Sequence, residues 1–365
     1  MVNQQRVSRL TGLDTVQGAL DTIETYFENG WTDGLPIVPP TEAAVADFVA
    51  ASGREGSETL GLMPPRMGVV TVEAAATNAV MAGCLPEYMP IVLAAVEAAL
   101  DPVLDIRGLQ ATSDPAAPLV IVSGPVVEQV GINHGVGLFG HGSRANATIG
   151  RALRLMMINL GDGRPDTGDK STMGSPSKYS YCMGADADTP WAPIHADFGF
   201  DPEESCVTVF AADGPRGNNP AGSGSMEFAL WVLADSLRNL NPNMIHGGHS
   251  LVVISPLIAH GLHAEGWTKR DAQLYLYEKA RIPIERVRRY KELRYGRNVE
   301  AGEPYFWPKW LDVEDPTEPD PMLPIVRDPD NILIVVAGDP ARSRSAFCPA
   351  RPYNRPVTKA VRMAG

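Results

Sequence analysis

Residues 118–123 read PLVIVS, an unbroken apolar run closed by Gly124 and Pro125. Its length suits a strand, and it has no polar alternate to turn toward water. It therefore reads as a strand covered on both faces. Three later runs share the pattern: CVTVFA at 206–211, LVVIS at 251–255 and ILIVVA at 332–337. Each ends in turn residues: DGPRGNNPAGSGS, then SP, then GDPARSRS. Helical patterns lie between them, at Met226 to Arg238, Pro256 to Glu265 and Lys269 to Ala280. The alternation predicts an α/β fold: a layered sheet with mostly parallel strands, flanked by helices and joined by long ordered loops. In open sheets of that kind ligands bind beyond the carboxyl ends of the strands, which directs attention to the loops there.

Upstream of the first run the chain is mainly helical. Apolar Val16, Leu20, Ile23 and Phe27 recur at helical spacing within 14–29. Thr41 precedes a further helical stretch as an N-cap, with Glu42 in its first turn. Residues 71–100 form two helical stretches broken at Gly83-Cys84, with Pro86 early in the second. Three regions are expected: a mainly helical 1–115, an α/β core at 116–299, and a 300–365 tail. The tail combines a proline-rich acidic segment at 300–328, a linker or a wrap over a neighbour, with the last strand and loop.

Composition narrows the function classes. The chain has 365 residues, enough for two domains or one large one. Its net charge of −12 argues against nucleic-acid binding. The basic stretch from Ala280 to Asn298 reads as a solvated helix with Glu partners. No apolar run is long enough to span a bilayer, and the first twenty residues have neither an apolar signal core nor a small-residue cleavage site. Cys84, Cys182, Cys206 and Cys348 lie far apart with no CxxC pair, which fits a reducing compartment and a cytoplasmic location.

Five places carry side chains suited to chemistry. Cys84, in AGCLPEYMP, stands before an expected helix start, where free amides lower a thiol pKa; the other reading is a small buried hydrophobe at a turn. The loop GINHGVGLFGHGSRANATIG offers glycines, Gly140 among them, for close backbone approach. Arg144 and Asn146 at the following helix start suit an anion, and His134 and His141 suit proton transfer. The glycines match neither GxGxxG nor GxxxxGK[ST], so no nucleotide cofactor is evident, and there is no GxSxG elbow. The stretch from Asp169 to Cys182 gathers Lys170, Ser171, Thr172, Lys178, Tyr179 and a second thiol. HGGH (His246, His249) and HGLH (His260, His263) have ligand-like spacing without HExxH or a nearby cysteine, and His195 stands alone. Finally, Arg342, Ser343, Arg344 and Ser345 follow the last strand with an anion-binding composition.

Several of these stretches together resemble a known group. DGLPIVPPTEAAV (33–45), NAVMAGCLPEYMPIVLAAVEA (78–98), RANATIGRALRLMMINLG (144–161) and DKSTMGSPSKYSYC (169–182) are similar to bacterial proteins related to the UGSC-type selenoprotein or thiol-protein group. The UGSC motif itself is absent. The resemblance implies thiol or selenol chemistry on a small organic substrate in catabolic settings. Carried over by position, it points to Cys84, Arg144, Asn146, Lys170, Ser171 and Cys182.

The resulting expectation is a homo-oligomeric lyase or oxidoreductase acting on a small anionic substrate, using Cys84 and Cys182 with His141 and Lys170 for proton transfer. His134, Gly140, Arg144, Asn146, Ser171, Thr172, Arg342 and Ser343 are the expected binding groups. One alternative is a metal-dependent lyase or hydrolase using His134, His141, His246 and His249. The other is a non-catalytic large subunit that binds a small thiol or selenol protein.

Overall fold

The computed structural model describes residues 16–220, 225–239, 248–287, 289–290, 322–351 and 354–363. In chain order the elements begin α1 (Val16–Glu28), α2 (Glu42–Ser52), β1 (Thr59–Met63), β2 (Gly68–Thr71), α3 (Val72–Ala82) and α4 (Met89–Leu100). They continue α5 (Ile106–Ala111), β3 (Ala117–Ser123), α6 (Val126–Gln129), α7 (Arg144–Asn159), β4 (Cys182–Gly184), β5 (Cys206–Ala212) and β6 (Arg216–Asn218). The last are α8 (Met226–Leu237), β7 (Ser250–Ile254), α9 (Pro256–Ala264), α10 (Lys269–Lys279), β8 (Arg281–Pro283), β9 (Met322–Pro324), β10 (Ile332–Val336), β11 (Ser345–Pro349) and β12 (Val357–Ala360).

These elements form two compact units. The first draws on Met1–Asp188, Ala192–Gly214 and Asn354–Gly365, the second on Thr189–Trp191 and Pro215–Tyr353. The first unit holds a sheet in the order β12-β5-β3-β4 and the hairpin β1-β2. β3 is buried along its whole length. Val120 stands opposite Val209 and Val122 opposite Val207, and all four join the core built with α3, α4 and α7. On the other face Ile121 stands opposite Thr208, whose hydroxyl lies 2.8 Å from that of Thr358 on β12. α4 is buried nearly all round, which its composition MPIVLAAVEAAL requires. α2 begins as expected, with the Thr41 side chain accepting from the Ala44 amide.

In the second unit the sheet order is β10-β7-β11-β6, with β8 and β9 paired separately. Its core comes from α8, α9 and α10 against the sheet, through Leu230, Leu233, Ile254, Ile258, Leu276 and Ile334 among others. α10 opens with a capping box between Thr268 and Asp271.

The fold is α/β, and the expected strand direction needs correction. Among the eight pairings of the described strands, only β3 with β4 and β7 with β10 are parallel. β3 and β5, the two longest apolar runs, lie antiparallel over seven residue pairs. A continuous apolar run reports that both faces of a strand are covered, and a neighbour running either way satisfies that equally. Among the described residues, no helix is long and apolar enough to cross a membrane. Residues 300–321 of the proline-rich segment, residue 288 and residues 291–298 of the basic stretch, residues 1–15, and His246 lie outside the described residues.

Candidate functional site

The first unit contains a cleft of about 650 Å³ built from three pieces of chain. One wall is the turn at 30–34 after α1, a second is the carboxyl half of α7, and the third is the long loop at 163–179. Two arginines fix the first wall. Arg151 on α7 makes a bidentate pair with Asp33 at 2.8 Å and also donates to the carbonyls of Leu35 and Pro36. Arg164 donates to the Gly30 carbonyl at 2.9 Å. The third wall is a tight turn in which the amides of Gly168 and Asp169 both return to the Arg164 carbonyl. Lys170 and Thr172 anchor the same loop through backbone bonds to Gln110 and Ser113.

This folding turns Asp169 inward, where it is buried. Its carboxylate accepts from Lys178 Nζ at 2.7 and 3.0 Å and from the Ser171 amide at 3.0 Å. Arg154 Nη1 reaches the same carboxylate at 3.6 Å. Arg154 is only 6% exposed, and among the described residues no hydrogen bond satisfies its guanidinium. Two cations thus share one carboxylate, while Asp33 is occupied by Arg151 and Asp213 acts on Lys178 at longer range. Burial lowers the pKa of Lys178, the Arg154 charge adds to the fall, and Asp169 opposes it. Ile158, Pro165, Met173 and Pro176 give the cleft its apolar lining, and Thr32, Ser175 and Tyr179 bring hydroxyls.

The expected site residues fall into three groups. Cys84, Gly140, Arg144, Asn146 and Cys182 cluster around the amino end of α7, and none lines the cleft. Arg144 donates to the carbonyls of Gly83 and Cys84 at the end of α3, so its charge serves a helix C-terminus rather than an anion. Asn146 is a bracket: its oxygen accepts from the Asn133 amide and the Ser143 hydroxyl, and its amide donates to the carbonyls of Asn133 and Cys182. Gly140 closes a turn onto the Gly137 carbonyl, and His141 is exposed beside it. His134 lies 2.7 Å from Glu128 and 3.7 Å from Asp186, and the two carboxylates raise its pKa, Asp186 foremost.

Cys84 is not at a helix start. A single tight turn at Pro86–Tyr88 intervenes and α4 begins at Met89, while the Cys84 amide donates back to Ala79 at the end of α3. Burial pushes its thiol up to about 12, against smaller opposing effects from the Thr148 hydroxyl and the charges of Arg144 and Arg151. Cys182 lies in the same core and is raised by burial, with a further contribution from Cys84. All four cysteines are buried and none is in a disulfide.

Lys170, Ser171 and Thr172 sit in the right loop but hold it together. Lys170 Nζ bonds the Asp166 carbonyl, Ser171 caps the Gly174 amide, and Thr172 donates to Ser113. Arg342 and Ser343 belong to the second unit, where Arg342 is exposed and 3.4 Å from Asp339. His249, in the same unit, lies 3.2 Å from the Asn331 amide nitrogen. Among the described residues, no three His, Cys, Asp or Glu side chains converge as metal ligands. His195 is fully buried, with Nδ1 2.7 Å from Ser123 Oγ and Nε2 facing the carbonyls of Asp201 and Pro202. Those acceptors place the proton on Nε2, so Ser123 donates to Nδ1 and the pair is a closed structural link.

Sequence reasoning missed Arg154, Asp169, Asp33 and Arg164. One signal was available: Arg154 interrupts the apolar run LRLMMI on a helix, where a charge is costly without a purpose. A scan against protein-family models and a search of the curated proteins found no match for this chain.

Proposed function

We propose that this protein is an enzyme that binds a small organic anion in the cleft between the 30–34 turn, α7 and the 163–179 loop. It acts on that anion by acid–base chemistry around Lys178 and Asp169. The observation that carries this reading is Arg154, a guanidinium that lines the cleft beside a second cation and approaches its carboxylate partner, Asp169, only at 3.6 Å. A guanidinium so placed is suited to receive a charge-assisted bond from an anionic ligand. The cleft volume of about 650 Å³ suits a small molecule. A lysine held below its ordinary pKa in such a cleft is suited to proton transfer.

The resemblance to the UGSC-type group implies a small organic substrate, in keeping with this reading. The thiol route that it also implies is weakened here by the burial of Cys84 and Cys182. Calorimetry with acetate, propanoate and benzoate, each against its neutral amide, tests the reading. The carboxylates are expected to bind and the amides not, and Lys178→Met is expected to weaken carboxylate binding at least about tenfold, the loss of one charge-assisted bond. Equal binding by acid and amide, or by wild type and Lys178→Met, refutes it.

A further inference from the structure

We infer that the ligand of this cleft is a carbonyl-bearing carboxylic acid, held by its carboxylate at Arg154 and joined at its carbonyl carbon to Lys178 as an imine. This inference rests on the anion-binding reading above and adds a covalent step to it. The geometry supplies the two required groups close together. Lys178 Nζ and Arg154 Nη1 lie 2.7 and 3.6 Å from the same oxygen of Asp169, so amine and guanidinium are no more than about 6.3 Å apart. A 2-oxo or 3-oxo acid places its carbonyl carbon one or two bonds from its carboxylate and spans that gap. Ile158, Pro165, Met173 and Pro176 add apolar walls, and Thr32, Ser175 and Tyr179 add hydroxyls.

The chemistry balances without a further reagent. The neutral Lys178 amine adds to the carbonyl carbon as the carbon–oxygen π bond breaks. The oxygen takes up two protons, one lost from the nitrogen as the carbon–nitrogen double bond forms and one that the Lys178 ammonium shed to become the amine, and departs as water, leaving a protonated imine. That imine carries the same single positive charge as the ammonium it replaces, so Asp169 pairs with both and no buried charge is stranded. Burial and the neighbouring Arg154 favour the neutral amine that the first step needs. Ser175 and Tyr179, which carry hydroxyls, line the same cleft. A protonated imine is an electron sink, which suits loss of carbon dioxide, carbon–carbon cleavage or removal of an adjacent proton.

The test is reductive trapping on the full chain. Glyoxylate, pyruvate and acetoacetate are each incubated with the protein, reduced with sodium borohydride, and the adduct is mapped by peptide mass. At least one of the three is expected to leave a single reduced adduct on Lys178, suppressed by propanoate, which has the carboxylate without the carbonyl. Lys178→Arg is expected to lose the adduct, and Lys170→Arg, outside the cleft lining, is expected to keep it. Labelling of the exposed Lys170 to the same extent as Lys178, or no suppression by propanoate, overturns the inference. If calorimetry shows the three acids bound and none leaves an adduct, the imine falls and the anion site stands. If neither they nor acetate bind, both fall.

Discussion

Lys178 Nζ lies 2.7 and 3.0 Å from the two oxygens of Asp169, and Arg154 approaches the same carboxylate at 3.6 Å. One buried acid therefore serves a buried guanidinium and a half-buried ammonium. This arrangement costs stability unless something else enters the cleft, and it makes Asp169 the most sensitive position of the three.

Replacing Asp169 by Asn leaves the buried Arg154 and the half-buried Lys178 without a close counter-ion. The expected loss is about 3–5 kcal/mol of folding stability, as for other broken buried ion pairs. Lys178→Met leaves Asp169 with Arg154 and is expected to cost far less. The double variant Asp169→Asn/Lys178→Met is expected to recover part of the single-variant loss, read from urea unfolding midpoints. Additive losses would mean that the two side chains are not coupled.

The pKa of Lys178 is lowered in the folded protein, first by burial. The folded state thus binds fewer protons than the unfolded chain between the lowered value and the unfolded one of about 10.4. Stability linked to this lysine is complete above the unfolded value and is lost as the pH falls through the folded one. The stability difference between wild type and Lys178→Met is expected to grow in favour of wild type as the pH rises through that window. A flat difference would show that the amine titrates normally.

His134 behaves in the opposite sense. Asp186 and Glu128 raise its pKa, so its contribution is fully present below the unfolded value of about 6.5 and is lost as the pH rises through the higher folded one. The ring resonances of His134 are expected to titrate above the unfolded value. His134→Gln is expected to be least stable, relative to wild type, on the acidic side. A midpoint for His134 at or below the unfolded value would contradict the two-carboxylate geometry.

Gly150 lies within α7, where a change to alanine ordinarily gains about 1 kcal/mol of helix propensity. Here a Cβ would stand 2.6 Å from both Ser180 Oγ and the Tyr181 amide. Overpacking of about 1–3 kcal/mol outweighs the gain, so Gly150→Ala is expected to be destabilised. A raised urea midpoint would show that α7 and the segment leading into β4 can move apart freely.

With its thiol pushed up to about 12, Cys84 is ionised in only about one molecule in 10⁴ at pH 8. Iodoacetamide is expected to label it in the native protein far more slowly than in urea, and Cys84→Ala is expected to keep carboxylate binding. Fast native labelling would restore Cys84 as a nucleophile.

The sequence alone determined the α/β class, the four main strands and the helices between them, because apolar runs and helical periodicity are local signals of what is buried. It singled out the loop at 169–182, part of which lines the cleft, because that loop is dense in donors and breaks the periodicity. It did not determine strand direction, since PLVIVS and CVTVFA are equally well covered by neighbours running either way. Nor did it decide which residues of the loop face the cleft. Lys170 and Lys178 are the same side chain eight positions apart, and only the turn closed on the Arg164 carbonyl sends Asp169 inward to meet Lys178 while Lys170 points out. Arg154 and Asp169 lie fifteen positions apart and Asp33 is more than a hundred from either, so their convergence is a property of packing. Cys84 shows the same limit: α4 begins five residues after it, beyond a single turn at Pro86–Tyr88, and its thiol sits in the core rather than against free amides.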